Sequence, residues 1–424
     1  MKNRFLLLFL FLPCLLSSQA LRIMHYNLLD YGNTNFCNAS NNNTLSKNQY
    51  IRTIAAYVQP DVFTVNEIAC NASVVDGLIT AALNVSGVTH YARPPVTCFS
   101  SDKLANVMFY NSERVGYHSY DVVQTSVRDI NIYKLYYKSP NLSITHDTAF
   151  FYVIVGHLKA GSDPDNATQR AIETYTLMSR LNYFYSPGNY LFMGDFNLYT
   201  NEEQAYQNLI HWTNIAIRFY DPVNKPGSWS GDGSFAGIHT QSTHSSGNGC
   251  ASGGGMDDRF DFILASADIM QGNKHYRYIP GTYKALGQDG LHFNRSINSS
   301  PYNSSVPPDV LDAIYNNSDH LPLIIDIRYE ENVGIREETG SSGFRAWIIH
   351  PVEEEVCMKL DGVVAKRVHI QLLSVDGRII FENIKELSNP GQLNIPTGHL
   401  RKGLYFIRID VPEMGSRVLK FIRQ

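Results

Sequence analysis

A series of short apolar runs, each with a polar residue at one end, limits what this chain can fold into more than any other feature. Leu21 to Asn27 reads as a strand that ends on a polar side chain. Val62 to Val65 is a second, followed by Asn66-Glu67-Ile68. Asn106–Tyr110, Phe151–Val155, Tyr190–Met193, Phe260–Leu264 and Leu321–Ile327 have the same character, that of buried strands. His157 follows one of these runs, and Asp195 and Asn197 follow another. Asp261 lies within Arg259-Phe260-Asp261-Phe262, and Asp319-His320 directly precedes the last run. Helical spacing appears between the runs, at Tyr50–Val58, Asn166–Tyr185 and Glu202–His211. Strands alternating with helices predict an α/β layered domain. Buried strands that each present a polar residue at one edge can place those residues around a single cleft.

The remaining stretches set the boundaries. Asn33 to Asn48, rich in Asn and Ser, reads as a loop. Ser242 to Gly255 is full of Gly and Ser and is either a flexible insertion or part of a substrate rim. Residues 1–20 read as a signal peptide: Lys2 and Arg4, an apolar stretch Phe5–Leu16, then Ser18-Gln19-Ala20. The apolar stretch is short for a membrane span and no stop-transfer pattern follows, so no transmembrane segment is expected in the mature chain. Cys37, Cys70, Cys98, Cys250 and Cys357 remain after cleavage. An exported chain can oxidise them, but the pairing stays open and the odd count leaves one over.

Residues 21–330 are expected to form the main domain and 331–343 a linker. Residues 344–424 are expected to form a small β-sandwich, with a hairpin turning at Asp376-Gly377. A formal charge of −4 excludes a protein that coats nucleic acid through bulk positive charge. It leaves room for an enzyme that grips one or two phosphates locally.

Gly194-Asp195-Phe196-Asn197 and Ser318-Asp319-His320-Leu321-Pro322, in that order after Asn27 and Glu67, resemble the endonuclease/exonuclease/phosphatase superfamily. The resemblance covers about residues 21–328. It implies a four-layer sandwich of two packed β-sheets flanked by helices, and hydrolysis of phosphoric esters by metal-assisted water attack. Mg²⁺ suits such a site, with Mn²⁺ or Ca²⁺ as alternatives, because a hard cation needs few protein oxygens and neutralises phosphate charge. Glu67 is the natural carboxylate ligand, with Asn27 assisting and Asp319 reaching a second metal position. Asp195 orients or deprotonates the attacking water, and Asn197 holds that water or a phosphate oxygen. Alone, Asp195-Phe196-Asn197 would read as a turn satisfying its own backbone. His320 serves the phosphate, with Asp261 as the carboxylate that fixes its tautomer.

His157 resembles the second histidine of pancreatic-type deoxyribonucleases and sphingomyelinases. The residues that support it in the deoxyribonucleases are replaced here by Asp102-Lys103-Leu104-Ala105-Asn106, which leaves Asp102 as its candidate partner. Arg128 resembles the family arginine that contacts phosphate, and Lys159 is a further phosphate contact.

The chain's end resembles a type IX secretion sorting domain, in Val375-Asp376-Gly377-Arg378, Gly403-Leu404-Tyr405-Phe406-Ile407 and Lys420-Phe421-Ile422. That implies an encounter with secretion machinery and a location outside the cell or on its surface. The leading expectation is a secreted nuclease with DNA or RNA as its partner. The alternatives are a phosphoesterase for a lipid head group or inositol phosphate, and a non-catalytic surface binding protein.

Overall fold

The computed structural model describes residues 19–33, 37, 42–99, 103–145, 148–330, 344–349, 354–361, 363, 367–375, 377–387, 392–412 and 414–423. Residues 1–18 of the expected leader, Asp102 and Asp376 lie outside the described residues. The chain divides into two units, Met1–Glu330 and Glu331–Gln424.

The strands of the first unit are β1 (Ala20–Tyr31), β2 (Val62–Ala69), β3 (Tyr91–Ala92), β4 (Leu104–Asn111), β5 (Val115–Val123), β6 (Ile130–Tyr137) and β7 (Phe150–His157). They continue with β8 (Asn189–Asp195), β9 (Phe219–Tyr220), β10 (Asp261–Ser266), β11 (Tyr276–Tyr278), β12 (Lys284–Ala285) and β13 (Leu323–Tyr329). One sheet has the order β11-β13-β1-β2-β4-β3, with β12 beside β13. The other has the order β5-β6-β7-β8-β10-β9. β1 runs parallel to β2 and β7 parallel to β8, while β13 and β10 return antiparallel to β1 and β8.

Side chains alternate across a strand, and both faces of these sheets are covered, which is why the runs read as continuously apolar. Leu21, Ile23, Val62, Met108, Leu323 and Ile325 of the first sheet meet Val153, Val155, Leu191, Met193 and Ile263 of the second. On the outer face of the first sheet, Met24, Tyr26, Phe63 and Val65 pack with Ile51 and Ile54 of the helix Thr44–Val58 and Ile314 of Pro308–Asn317. On the outer face of the second, Ile132, Ile154, Phe192 and Leu264 pack with Leu177, Met178 and Leu181 of the helix Pro164–Phe184. The result is the expected four layers: helix, sheet, sheet, helix.

Two expectations need correction. The stretch read as a loop to Asn48 already turns helical at Thr44, because the Asn43 side chain caps the helix by accepting from the Leu45 N–H. β5 and β6 stand where no strand was expected, since their Tyr- and Lys-interleaved sequences lack a solid apolar run.

The second unit is all-β. Arg345–Ile349, Glu355–Asp361 and Gln392–Pro396 form one sheet. Ile379–Glu386, Arg367–Ser374, Gly403–Val411 and Gly415–Arg423 form the other, in that order. Gly377 takes φ +80° at the hairpin turn and its N–H donates to the Ser374 carbonyl, a conformation natural to glycine.

Beside the second sheet of the first unit, Arg259 is buried with both Nη atoms on the Asp221 carboxylate at 2.8 and 2.9 Å. The Trp229 and Phe262 rings lie over its guanidinium at 5.2 and 4.3 Å. Asp221→Ala would leave that cation buried without its partner. Urea denaturation followed by tryptophan fluorescence should show a loss of about 3–5 kcal/mol.

Candidate active site

The inter-sheet layer is apolar along most of its length and turns polar at one end. Period two puts His25 and Asn27 of β1 on the same face as Leu21 and Ile23. It puts Thr64 and Asn66 with Val62, His157 with Val153 and Val155, and Asp195 with Leu191 and Met193. Asp261, at the other end of an antiparallel strand, faces the same layer as Ile263. In register, Asp195 pairs with His157 on one side and Asp261 on the other. Gly194 permits this closeness: a Cβ there would sit 1.7 Å from the Gly156 carbonyl oxygen.

Asp195 is buried. Its Oδ1 accepts from the Asn197 N–H at 3.0 Å and its Oδ2 from Asn27 Nδ2 at 3.1 Å. That Oδ2 lies 3.6 Å from both His157 Nε2 and His320 Nε2. Burial pushes the Asp195 carboxyl up to about 7; His320 opposes the rise, while Asp261 and Glu67 add to it.

Glu67 sits where the pairing of β2 with β4 shifts register, with φ +56°. Its Oε1 accepts from Asn27 Nδ2 and its Oε2 from the Asp30 N–H, both at 3.0 Å. Leu29, Asp30 and Asn197 also have left-handed backbone, at 49°, 58° and 50°. Four non-glycine residues in this region, on or beside Asn27, Glu67 and Asp195, mark a site whose surroundings over-determine it.

His320 places Nδ1 at 2.8 Å from Asp261 Oδ2. Burial opposes its protonation, but Asp261 and Asp195 hold it well above the ordinary histidine range. Its Nε2 is 2.8 Å from the Gln241 side-chain nitrogen, which also donates to Asp319 Oδ2 at 3.2 Å. His157 is also buried, and burial followed by the nearby Arg128 charge drives it well below that range, so its ring is neutral.

Ligand atoms of Glu67, His157 and Asp195 all lie within 4.8 Å of one another and could hold a metal ion. The donor set fits a divalent cation: two carboxylates and an imidazole kept neutral by burial. The other expected ligands are placed differently. Asn27 commits its oxygen to the Leu29 N–H at 2.9 Å and turns its nitrogen to the carboxylates. Asp319 accepts from Gln241 and from the Ser252 N–H at 2.9 Å, and lies 3.9 Å from His320. Arg128 reaches the Leu158 carbonyl at 3.4 Å beside His157. Lys159 turns its ammonium to the Ala160 carbonyl at 2.9 Å.

Several residues that the pattern of strand ends does not reveal complete the site. Buried Lys47 donates from Nζ to the Leu28 and Leu29 carbonyls, both at 2.6 Å, and so props the end of β1. Burial pulls it down to about 8 against the pull of Glu67, Asp319 and Asp30. Asn66 accepts from the Asp195 N–H at 2.9 Å and donates to Asn106 at 2.7 Å. Buried Arg170 ties the Lys159 and Gly161 carbonyls to Glu203, fixing the loops after β7 and β8. The loop 242–255 is a rim: Ser252 serves Asp319, and Cys250 is bridged to Cys37. A second bridge joins Cys70 and Cys98, and Cys357 belongs to neither.

Residues 350–423 match the family described as the secretion system C-terminal sorting domain. The protein is therefore secreted or attached to the cell surface. Among the described residues no helix is long and apolar enough to cross a membrane. No curated protein matches the chain. Solved structures similar to it include an endonuclease/exonuclease/phosphatase from Bacteroides vulgatus, at 13% identity over 73% of this chain and 99% of that one, with a TM-score of 0.47. Another is D. rerio TDP2 complexed with single strand DNA product, at 14% identity over 73% and 99%, TM-score 0.46. A third is the human Nocturnin catalytic domain with bound sulfate anion, at 13% over 74% and 96%, TM-score 0.46.

Two outcomes follow from this geometry. Mn²⁺ or Mg²⁺ at about a hundred times its dissociation constant should stabilise the chain by about 2.7 kcal/mol. Glu67→Gln should erase that gain in a thermal melt. Separately, burial raises Glu173 to about 7 from its ordinary 4.5. A raised acid contributes stability below its unfolded pKa that is lost as pH climbs to the folded one. The wild type should therefore lose stability relative to Glu173→Gln between about pH 4.5 and 7, by at most about 1.4 kcal/mol per pH unit.

Proposed function

We propose that the first unit is a metal-assisted phosphodiesterase, and that nucleic acid is its substrate. The observation that carries this reading is the meeting of a metal-competent triplet, Glu67, His157 and Asp195, with the Asp261–His320 pair at one end of the inter-sheet layer. A divalent cation held there would neutralise phosphate charge and stabilise the leaving oxygen.

The protein's own groups do the rest. Asp195 orients the attacking water and takes its proton as the water oxygen bonds to phosphorus. Asn197 and Asn27 fix the direction of its two oxygens. His320, anchored by Asp261, gives its Nε2 proton to the leaving oxygen as the bond from phosphorus to that oxygen breaks. The Gln241 amide stands at that nitrogen now, so a bound phosphate oxygen displaces it. Arg128, beside His157, offers a guanidinium to a second phosphate oxygen.

Nucleic acid is favoured by Phe99. Its ring is 63% exposed while its backbone N–H is tied to Asp129, the neighbour of Arg128. An exposed aromatic whose backbone is tied to the residue after Arg128 would offer a stacking platform for a base. A lipid head group or inositol phosphate is the second reading. It is favoured by the exposed Leu291 and Tyr302, on a segment whose Ser296 accepts from Ser245 on the rim.

Purified protein with Mg²⁺ should cleave bis-(p-nitrophenyl) phosphate and plasmid DNA. Glu67→Ala and His320→Ala should each lower kcat/KM by at least about a hundredfold while still folding. Wild-type activity in either variant would remove the assignment. A panel of DNA, RNA, sphingomyelin and inositol phosphates separates the two readings, and a chain inert towards all of them would act as a binding protein.

A further inference from the structure

We propose that His25 is a positioning residue of this site, turning an Nε2–H towards the oxygen of Asp261 that His320 leaves free, so that one carboxylate is held between two histidines. The inference deepens the phosphodiesterase reading and rests on it for its kinetic consequence.

His25 is wholly buried on the inter-sheet face of β1, two residues before Asn27. Its Nδ1 lies 2.9 Å from Thr64 Oγ1. Its Nε2 has no hydrogen-bond partner among the described residues, and neither does Asp261 Oδ1. These two orphaned atoms are 4.0 Å apart. Both side chains are fully buried, and a buried polar atom left unmatched costs about 1–3 kcal/mol.

The tautomer follows from what faces Nε2. The Thr64 hydroxyl, 2.9 Å from His25 Nδ1 and 3.4 Å from the Met24 carbonyl, can serve Nδ1 as donor or as acceptor. When Thr64 donates to Nδ1, the neutral ring must carry its proton on Nε2, facing Asp261. The opposite tautomer would set a lone pair against a carboxylate oxygen. Burial pulls the His25 ring down to about 4, with Asp261 the largest opposing influence, so the ring is neutral. One assignment thus gives the hydroxyl an acceptor and turns an N–H, not a lone pair, towards the carboxylate.

The consequence falls on His320. Thr240 Oγ1 accepts from the Asp261 backbone N–H at 3.1 Å, which fixes the main chain but leaves the carboxylate to turn about its own bond. An Nε2–H of His25 facing Oδ1 opposes that rotation and favours Oδ2 staying on His320 Nδ1. A supporting hydrogen bond to a working histidine is worth on the order of 10–100-fold in activity.

The test uses the full chain with His25 replaced by Leu or Gln, and Thr64 replaced by Val or Ser. Nitrogen-15 shifts of the wild-type imidazoles should show His25 unprotonated at Nδ1 and protonated at Nε2. With bis-(p-nitrophenyl) phosphate and Mg²⁺, His25→Leu should lower kcat on the order of 10–100-fold with little change in KM. His25→Gln, which keeps an N–H in the same place, should recover most of that loss. Thr64→Val should lower kcat and Thr64→Ser should not. Melting temperatures identify any variant that has unfolded. A proton on Nδ1 of His25 overturns the proposal whatever the activity. So does a folded His25→Leu chain with wild-type kcat. If the wild type cleaves no phosphodiester, the functional reading fails alone. The positioning role is then decided by the His320 Nδ1–H proton resonance, which must move in His25→Leu and return in His25→Gln.

Discussion

Crowded negative charge, out of water, is the constraint to which the rest of the first unit answers. Glu67, Asp195, Asp261 and Asp319 converge at one end of the inter-sheet layer, and all but Glu67 are buried. Carboxylates so placed persist only where donors surround them. The donors come from every direction: the amides of Asn27 and Gln241, the backbone N–H groups of Asp30, Asn197 and Ser252, and the His320 ring. Lys47 adds a buried positive charge behind the end of β1. Backbone that would otherwise be free to vary is committed to this task, which accounts for the left-handed residues beside the pocket.

The apolar remainder of the layer gives that polar end its rigidity. Leucine, isoleucine, valine and methionine side chains from both sheets interlock along it, so strand ends cannot drift relative to one another. The register of β7, β8 and β10 then delivers His157, Asp195 and Asp261 side by side without any further device. Sub-ångström placement is what hydrolytic chemistry asks of a scaffold, and packed strands supply it better than loops.

Much of this was legible in the residue order. Continuous apolar runs identify strands covered on both faces, and the polar residue ending each run marks the end where a cleft forms. Other features were hidden for definite reasons. His25 lies inside a strand, and only the period-two rule shows that it shares a face with Asn27. Lys47 and Gln241 belong to segments that look like ordinary polar surface, and their burial depends on neighbours distant in sequence. The orientation of an amide is invisible too: Asn27 accepts from the Leu29 N–H and donates to Glu67 and Asp195. The disulfides depend on closeness that spacing alone does not encode.

The bridge between Cys37 and Cys250 spans 213 residues of sequence and fastens the loop after the first strand to the rim that serves Asp319. Such a link can close only when both thiols have reached an oxidising compartment. Before export, the rim lacks its anchor and the backbone donor of Ser252 is untethered. The covalent closure that fastens this loop beside Asp319 is thereby tied to departure from the reducing interior.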